Sequence, residues 1–156
     1  LEREELRRRL EAWAEEERLY AERLAESAAK ARSPLVRAVL TAVAMDSQKH
    51  HALLIEAARL LEGPQALGEG ELEASLDSIR GHVEVEAEAL RLFEGLVRDP
   101  AVQQDPQLSF ILRLVLRDER FHHVVLHDLY QALARGKVLG QGEEWEELYS
   151  ELDKFL

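Results

Sequence analysis

Cysteine is missing from all 156 residues. That excludes disulfides, thiolate catalysis and any Cys-ligated zinc or iron–sulfur centre, and it fits a reducing compartment, so a cytoplasmic protein is expected. Asparagine is missing too, aromatic residues make up only 6% of the chain, and β-branched residues are sparse. A strand-built core has little to draw on here. No apolar run approaches the ~20 residues that a membrane span needs, and no secretory leader is recognisable. There is no Gly-rich phosphate loop and no nucleophile elbow, nor a strand pattern on which to build one. Positive charge is also short: 20 Lys and Arg stand against 31 Asp and Glu, for a net charge of −11. That balance argues against non-specific binding to nucleic acid or to an anionic membrane. Its plainest consequence is solubility.

What is abundant is Leu, Ala, Glu and Arg, the vocabulary of helices. The length suits one domain, residues 1–156, with room for a proper core. Apolar residues recur in alternating steps of four and three, which marks one face of a helix. Four such stripes can be traced. The first, within residues 2–31, is Leu6, Leu10, Trp13, Glu17, Tyr20, Leu24 and Ala31. The second, within 34–62, is Val36, Leu40, Val43, Ser47, His50, Leu54, Ala57 and Leu61. The third, from about 75 to 98, is Leu76, Ile79, Val83, Glu86, Leu90, Phe93 and Val97. The fourth, from 106 to about 136, is Leu108, Leu112, Val115, Glu119, His122, Leu126, Leu129 and Leu133.

Punctuation agrees with the stripes. Ser33-Pro34 and Asp105-Pro106 read as an N-cap followed by proline in the first turn. Gly63-Pro64 ends the second helix, and Asp99-Pro100 breaks the third. Residues 63–75 read as the one long connection. Residues 143–156 read as a short amphipathic C-terminal helix with Trp145, Leu148, Leu152 and Phe155 on one side.

Each stripe has polar exceptions. Glu119 and His122 stand one turn apart where only aliphatic residues are expected, and a carboxylate there needs a cation or hydrogen bonds to offset its burial. Glu-x-x-His on an inward face is one way a helical bundle offers two ligands to a metal. Glu17 is the exception on the first helix, with Glu16 as the alternative if that face is rotated. Ser47 and His50 are the exceptions on the second helix, and Glu86 is the exception on the third.

The chain also repeats itself at an offset of 72. Ser33-Pro34 lies over Asp105-Pro106, Leu40 over Leu112, Val43 over Val115, Asp46 over Asp118, His50-His51 over His122-His123 and Leu54 over Leu126. The expected fold is therefore all-α: two helical hairpins, 2–62 and 75–135, closing a four-helix bundle. Residues equidistant from a hairpin turn lie side by side, so Glu17 should face the 47–50 level and Glu86 the 119–122 level. The polar exceptions then form one candidate metal set: Glu17, His50, Glu86, Glu119 and His122. His51 and His123 fall off the stripe, in surface or supporting roles. His82 is placed to hydrogen-bond Glu86, and His127 to be exposed.

This pattern resembles the rubrerythrin-like branch of the ferritin-like superfamily over roughly residues 10–135. That branch carries a Glu on one helix and Glu-x-x-His on the next, repeated once; Glu119-x-x-His122 matches outright. Glu86, with Ala89 and Phe93 after it, is similar to the family's third helix. The resemblance implies a ferritin-like bundle holding one or two ions, iron or manganese with zinc as a further choice. It implies peroxide reduction or iron oxidation with peroxide or oxygen as oxidant, and a homodimer. Glu119 would bridge or chelate, Glu17 and Glu86 would be terminal ligands, His50 and His122 would supply nitrogen, and Tyr20 would lie nearby. Three departures stand against it. Ser47 occupies the place of the first Glu-x-x-His glutamate, with Asp46 one residue off the stripe. The 156 residues hold no Cys-bearing rubredoxin-like segment. The crossover between the second and third helices would have only residues 63–75, ~40 Å at ~3.3 Å per residue, and an up-down-up-down bundle needs no crossover. A metal-free helical bundle acting as an interaction or structural module is the alternative; there Glu119 would pair with His50 or His122.

Overall fold

The computed structural model describes residues 2–63, 69–134, 150 and 152–154. Among the described residues all regular structure is helical: α1 (Arg3–Lys30), α2 (Pro34–Leu60), α3 (Glu69–Leu96), α4 (Pro100–Gln103) and α5 (Pro106–Ala134). No helix of the described residues is long and apolar enough to cross a membrane. The chain divides into two compact units, 1–66 and 67–156. The first holds α1 and α2, the second α3, α4 and α5.

The caps fall where the sequence places them. The Ser33 hydroxyl accepts from the Val36 N–H, with Pro34 in the first turn of α2. The Asp105 carboxylate accepts from the Gln107 and Leu108 N–H groups, 3.0 and 3.1 Å away. These bonds serve donors that a helix start leaves without intrahelical partners. At the other end of α2, Arg3 reaches across from α1, its Nε donating to the Leu61 carbonyl at 2.6 Å and its Nη2 to the Leu60 carbonyl at 3.3 Å. A guanidinium there also complements the negative end of the helix dipole. Gly63 follows with φ +147°, a conformation that L side chains rarely adopt.

Two boundaries differ from expectation. α3 begins at Glu69 rather than near 75, taking in Gly70. One glycine costs a helix only about 1 kcal/mol, and the acids Glu69, Glu71 and Glu73 favour a helix N-terminus. The long connection is correspondingly shorter. Asp99-Pro100 not only breaks α3 but starts α4, because Asp99 accepts from the Ala101 N–H at 2.8 Å, another Asp-Pro cap. The expected C-terminal helix over 143–156 lies mostly outside the described residues.

In the first unit α1 and α2 form an antiparallel hairpin: His51 bonds Ala14, and Arg3 bonds Leu61. Its most buried residues are small. Ala14, Ala21 and Ala28 recur every seventh residue along α1, and Ala44, Ser47 and Ala58 line α2, with His51 half-buried between the last two. Within the hairpin, the closest packing does not follow the large stripe residues. Trp13 and Tyr20, both on the α1 stripe, are 65% and 44% exposed. The hairpin contact runs one position beyond the stripe, where alanines let two helices approach closely. Tyr20 lies outside the α1–α2 seam, with Arg23 over its ring, 5.8 Å from the centroid.

The second unit repeats the hairpin with larger residues. Applying the Glu17-to-Glu86 offset, Ala14, Ala21 and Ala28 correspond to Val83, Leu90 and Val97, and the repeat sets Leu116 against Ala44 and Tyr130 against Ala58. Val97 and Leu116 are buried, as is Val102 of α4. Polar contacts fix the antiparallel register: Arg80 Nη2 donates to the Tyr130 hydroxyl at 3.0 Å, and Arg120 pairs with Glu94 at 3.2 Å.

Candidate metal centre

The second hairpin brings three expected residues together. Glu86 of α3 and Glu119 and His122 of α5 each offer a ligand atom, all within 4.8 Å of one another. His122 Nδ1 lies 3.8 Å from Glu86 Oε1. Glu119 and His122, three residues apart, share a face of α5, and the antiparallel register sets Glu86 opposite them. The Glu119 carboxyl is held above the ordinary carboxylate value of 4.5. The first cause is its hydrogen bond with Glu86, followed by burial and the negative charge of Glu86. Two carboxylates this close cannot both ionise freely, and a proton between them relieves the conflict. One acceptor is still left over: Glu86 Oε2 is buried and has no hydrogen-bond partner among the described residues. An unpaired buried carboxylate oxygen is costly, and a bound cation would satisfy it.

The first hairpin brings together two more. Glu17 Oε1 of α1 lies 3.6 Å from His50 Nδ1 of α2, and the Glu17 side chain is 19% exposed. Glu16 is exposed, so Glu17 is the inward residue of that pair. Ser47 is buried at 4% exposure in the alanine-lined seam. Asp46 does not take its place: its carboxylate pairs with Lys49 Nζ at 2.7 Å. The five expected residues thus form a set of three in one unit and a pair in the other.

The remaining histidines separate clearly. His51 lies in the hairpin seam, its Nδ1 2.7 Å from the Ala14 carbonyl. Its repeat counterpart His123 has a buried Nδ1 without a hydrogen-bond partner among the described residues. The seam position of His51 escaped the stripe pattern, although the seven-residue spacing of the alanines marks the same line. His82 is exposed and does not satisfy Glu86 Oε2. His127 is exposed as expected, its Nδ1 3.2 Å from Asp128 Oδ1.

No family model matches this chain, and comparison with curated proteins and with solved structures finds no match.

Proposed function

We propose that this protein binds one or two divalent ions, iron or manganese with zinc as a further choice, through Glu17, His50, Glu86, Glu119 and His122. In this reading the two hairpins close into a ferritin-like four-helix bundle in a cytoplasmic homodimer. The protein acts as a rubrerythrin-like oxidoreductase on peroxide or oxygen. The observation that carries the reading is the Glu86–Glu119–His122 group, whose Glu119 carboxyl is hydrogen-bonded to Glu86 and whose buried Glu86 Oε2 has no partner among the described residues. The donors fit the ions. Carboxylate and imidazole suit iron, manganese and zinc, and the protein offers few enough ligands to leave positions for an oxidant. A bound redox-active ion would supply the electron chemistry. The chain's own part is to hold the ion with Glu86, Glu119 and His122, and to release the Glu119 proton as it binds. Glu17 and His50 are the supporting pair from the other copy of the repeat.

A metal-free interaction module is the second reading, favoured by the buried Ser47 and by the Glu86–Glu119 bond, which partly satisfies both acids without an ion. Elemental analysis of protein grown with iron and manganese separates the two. One or two ions per chain, lost in Glu119→Ala, supports the metal reading. Protein without metal, whose melting temperature ignores added iron or manganese, overturns it.

A further inference from the structure

The two His-His doublets carry more than their first members. In each, the second histidine lies one residue round the helix from the candidate ligand, on the side facing the partner helix of its own hairpin. His51 shows what that place allows. A carbonyl oxygen can only accept, so His51 Nδ1 carries the hydrogen and donates it to Ala14 at 2.7 Å. Ala14 lies within α1, where its carbonyl already accepts from the N–H four residues on. The imidazole takes the second lone pair, which costs α1 no bond. Ala14 is three residues, about one turn, before Glu17, and His51 is the immediate neighbour of His50. The bond therefore joins the Glu17-bearing helix to the His50-bearing helix beside the pair.

We propose that His51 is a positioning residue: its bond to the Ala14 carbonyl sets the register in which Glu17 and His50 face each other as ligands. The proposal rests on the metal reading above. The repeat supplies an internal comparison. His123 has the corresponding place, and Val83, three residues before Glu86, corresponds to Ala14. Larger side chains fill that seam, and His123 Nδ1 has no hydrogen-bond partner among the described residues. A tether to the facing helix is thus present in the first hairpin and unmade in the second.

Cobalt(II) binding to the full-length protein, followed by its visible absorption, tests this. Groups that orient metal ligands typically change affinity 10- to 100-fold when removed. His51→Leu is expected to weaken cobalt binding about tenfold, while His51→Asn, which keeps an N–H near the Nδ1 position, stays within about threefold of wild type. His123→Leu is expected to weaken it less than His51→Leu. Cobalt binding by His51→Leu equal to wild type overturns the positioning role and leaves the metal reading standing. Equal losses in His51→Leu and His51→Asn, or in His51→Leu and His123→Leu, also overturn it. Wild-type protein that takes up no cobalt, iron or manganese overturns both. A readout independent of metal and of the variants' folding is the His51 tautomer in long-range ¹H–¹⁵N spectra. An Nδ1–H imidazole is expected, and an Nε2–H imidazole overturns the proposal.

Discussion

The two hairpins share a sequence plan and differ in the size of the residues that line their seams. In the first, alanine meets alanine, and the helices come close enough for a histidine to bond a backbone carbonyl on the facing helix. In the second, Val83, Leu90, Val97 and Leu116 hold corresponding places, and the corresponding histidine makes no such bond. The same difference accounts for the unequal ligand sets. Ser47 is buried beside the alanine line. Glu119, at the same repeat position, sits in the seam with the larger residues and bonds Glu86. Close packing and a second acidic ligand thus compete for one place, and each hairpin has only one of them.

The strongest way to break this comparison is Ser47→Glu. If the first seam is as tight as its alanines imply, the substitution overpacks it and buries a carboxylate, costing about 3 kcal/mol or more. Chemical denaturation should show that loss without any gain in bound metal. A variant that keeps its stability and binds an additional ion would show that seam width does not explain Ser47. Next in size is Leu116→Ala, which imposes the small residue of the first hairpin, Ala44, on the second. Truncating a buried leucine costs about 2–3 kcal/mol at a site that partly relaxes. A loss below about 0.5 kcal/mol would mean that the second seam closes as readily as the first.

The smallest effect is in pH. The raised Glu119 pKa means that the folded, metal-free protein holds a proton that the unfolded chain has released. This contribution to stability is fully present below the ordinary value of 4.5 and is lost as pH rises through the raised value. The melting temperature of metal-free protein should therefore carry a falling component in that window, absent from Glu119→Gln. A metal ion, which displaces the same proton, should bind more tightly as pH rises through it. Identical pH profiles for the two metal-free proteins would contradict the shared proton between Glu86 and Glu119.

The four long helices, the Ser33 and Asp105 caps and the pairing of Glu86 with Glu119 and His122 were all legible in the residues. Stripe periodicity and Ser-Pro or Asp-Pro punctuation are local signals, and an antiparallel hairpin converts them directly into neighbours. The seam was not legible in the same way. Large side chains dominate a helical stripe, and Trp13, Tyr20 and Val43 stand out on the first two. The closest contact runs one residue on, through Ala14, Ala21 and Ala44, because small side chains rather than hydrophobic ones decide how near two backbones come. That shift also explains the histidines: His50 lies on the stripe and His51 on the seam. α4 is too short to carry a stripe, and Asp99-Pro100 reads as a stop although the pair equally has the chemistry of a start.

Gly63 bears on how two such unlike copies coexist. A duplicated unit needs a junction that lets the chain depart without forcing its predecessor to bend. Here the departure is made by the one residue type that turns through φ +147° at little steric cost. Any other residue at that point would pass its strain back into the end of α2, where Arg3 fastens the last carbonyls. An achiral joint keeps such strain local, so a change on one side need not be answered on the other.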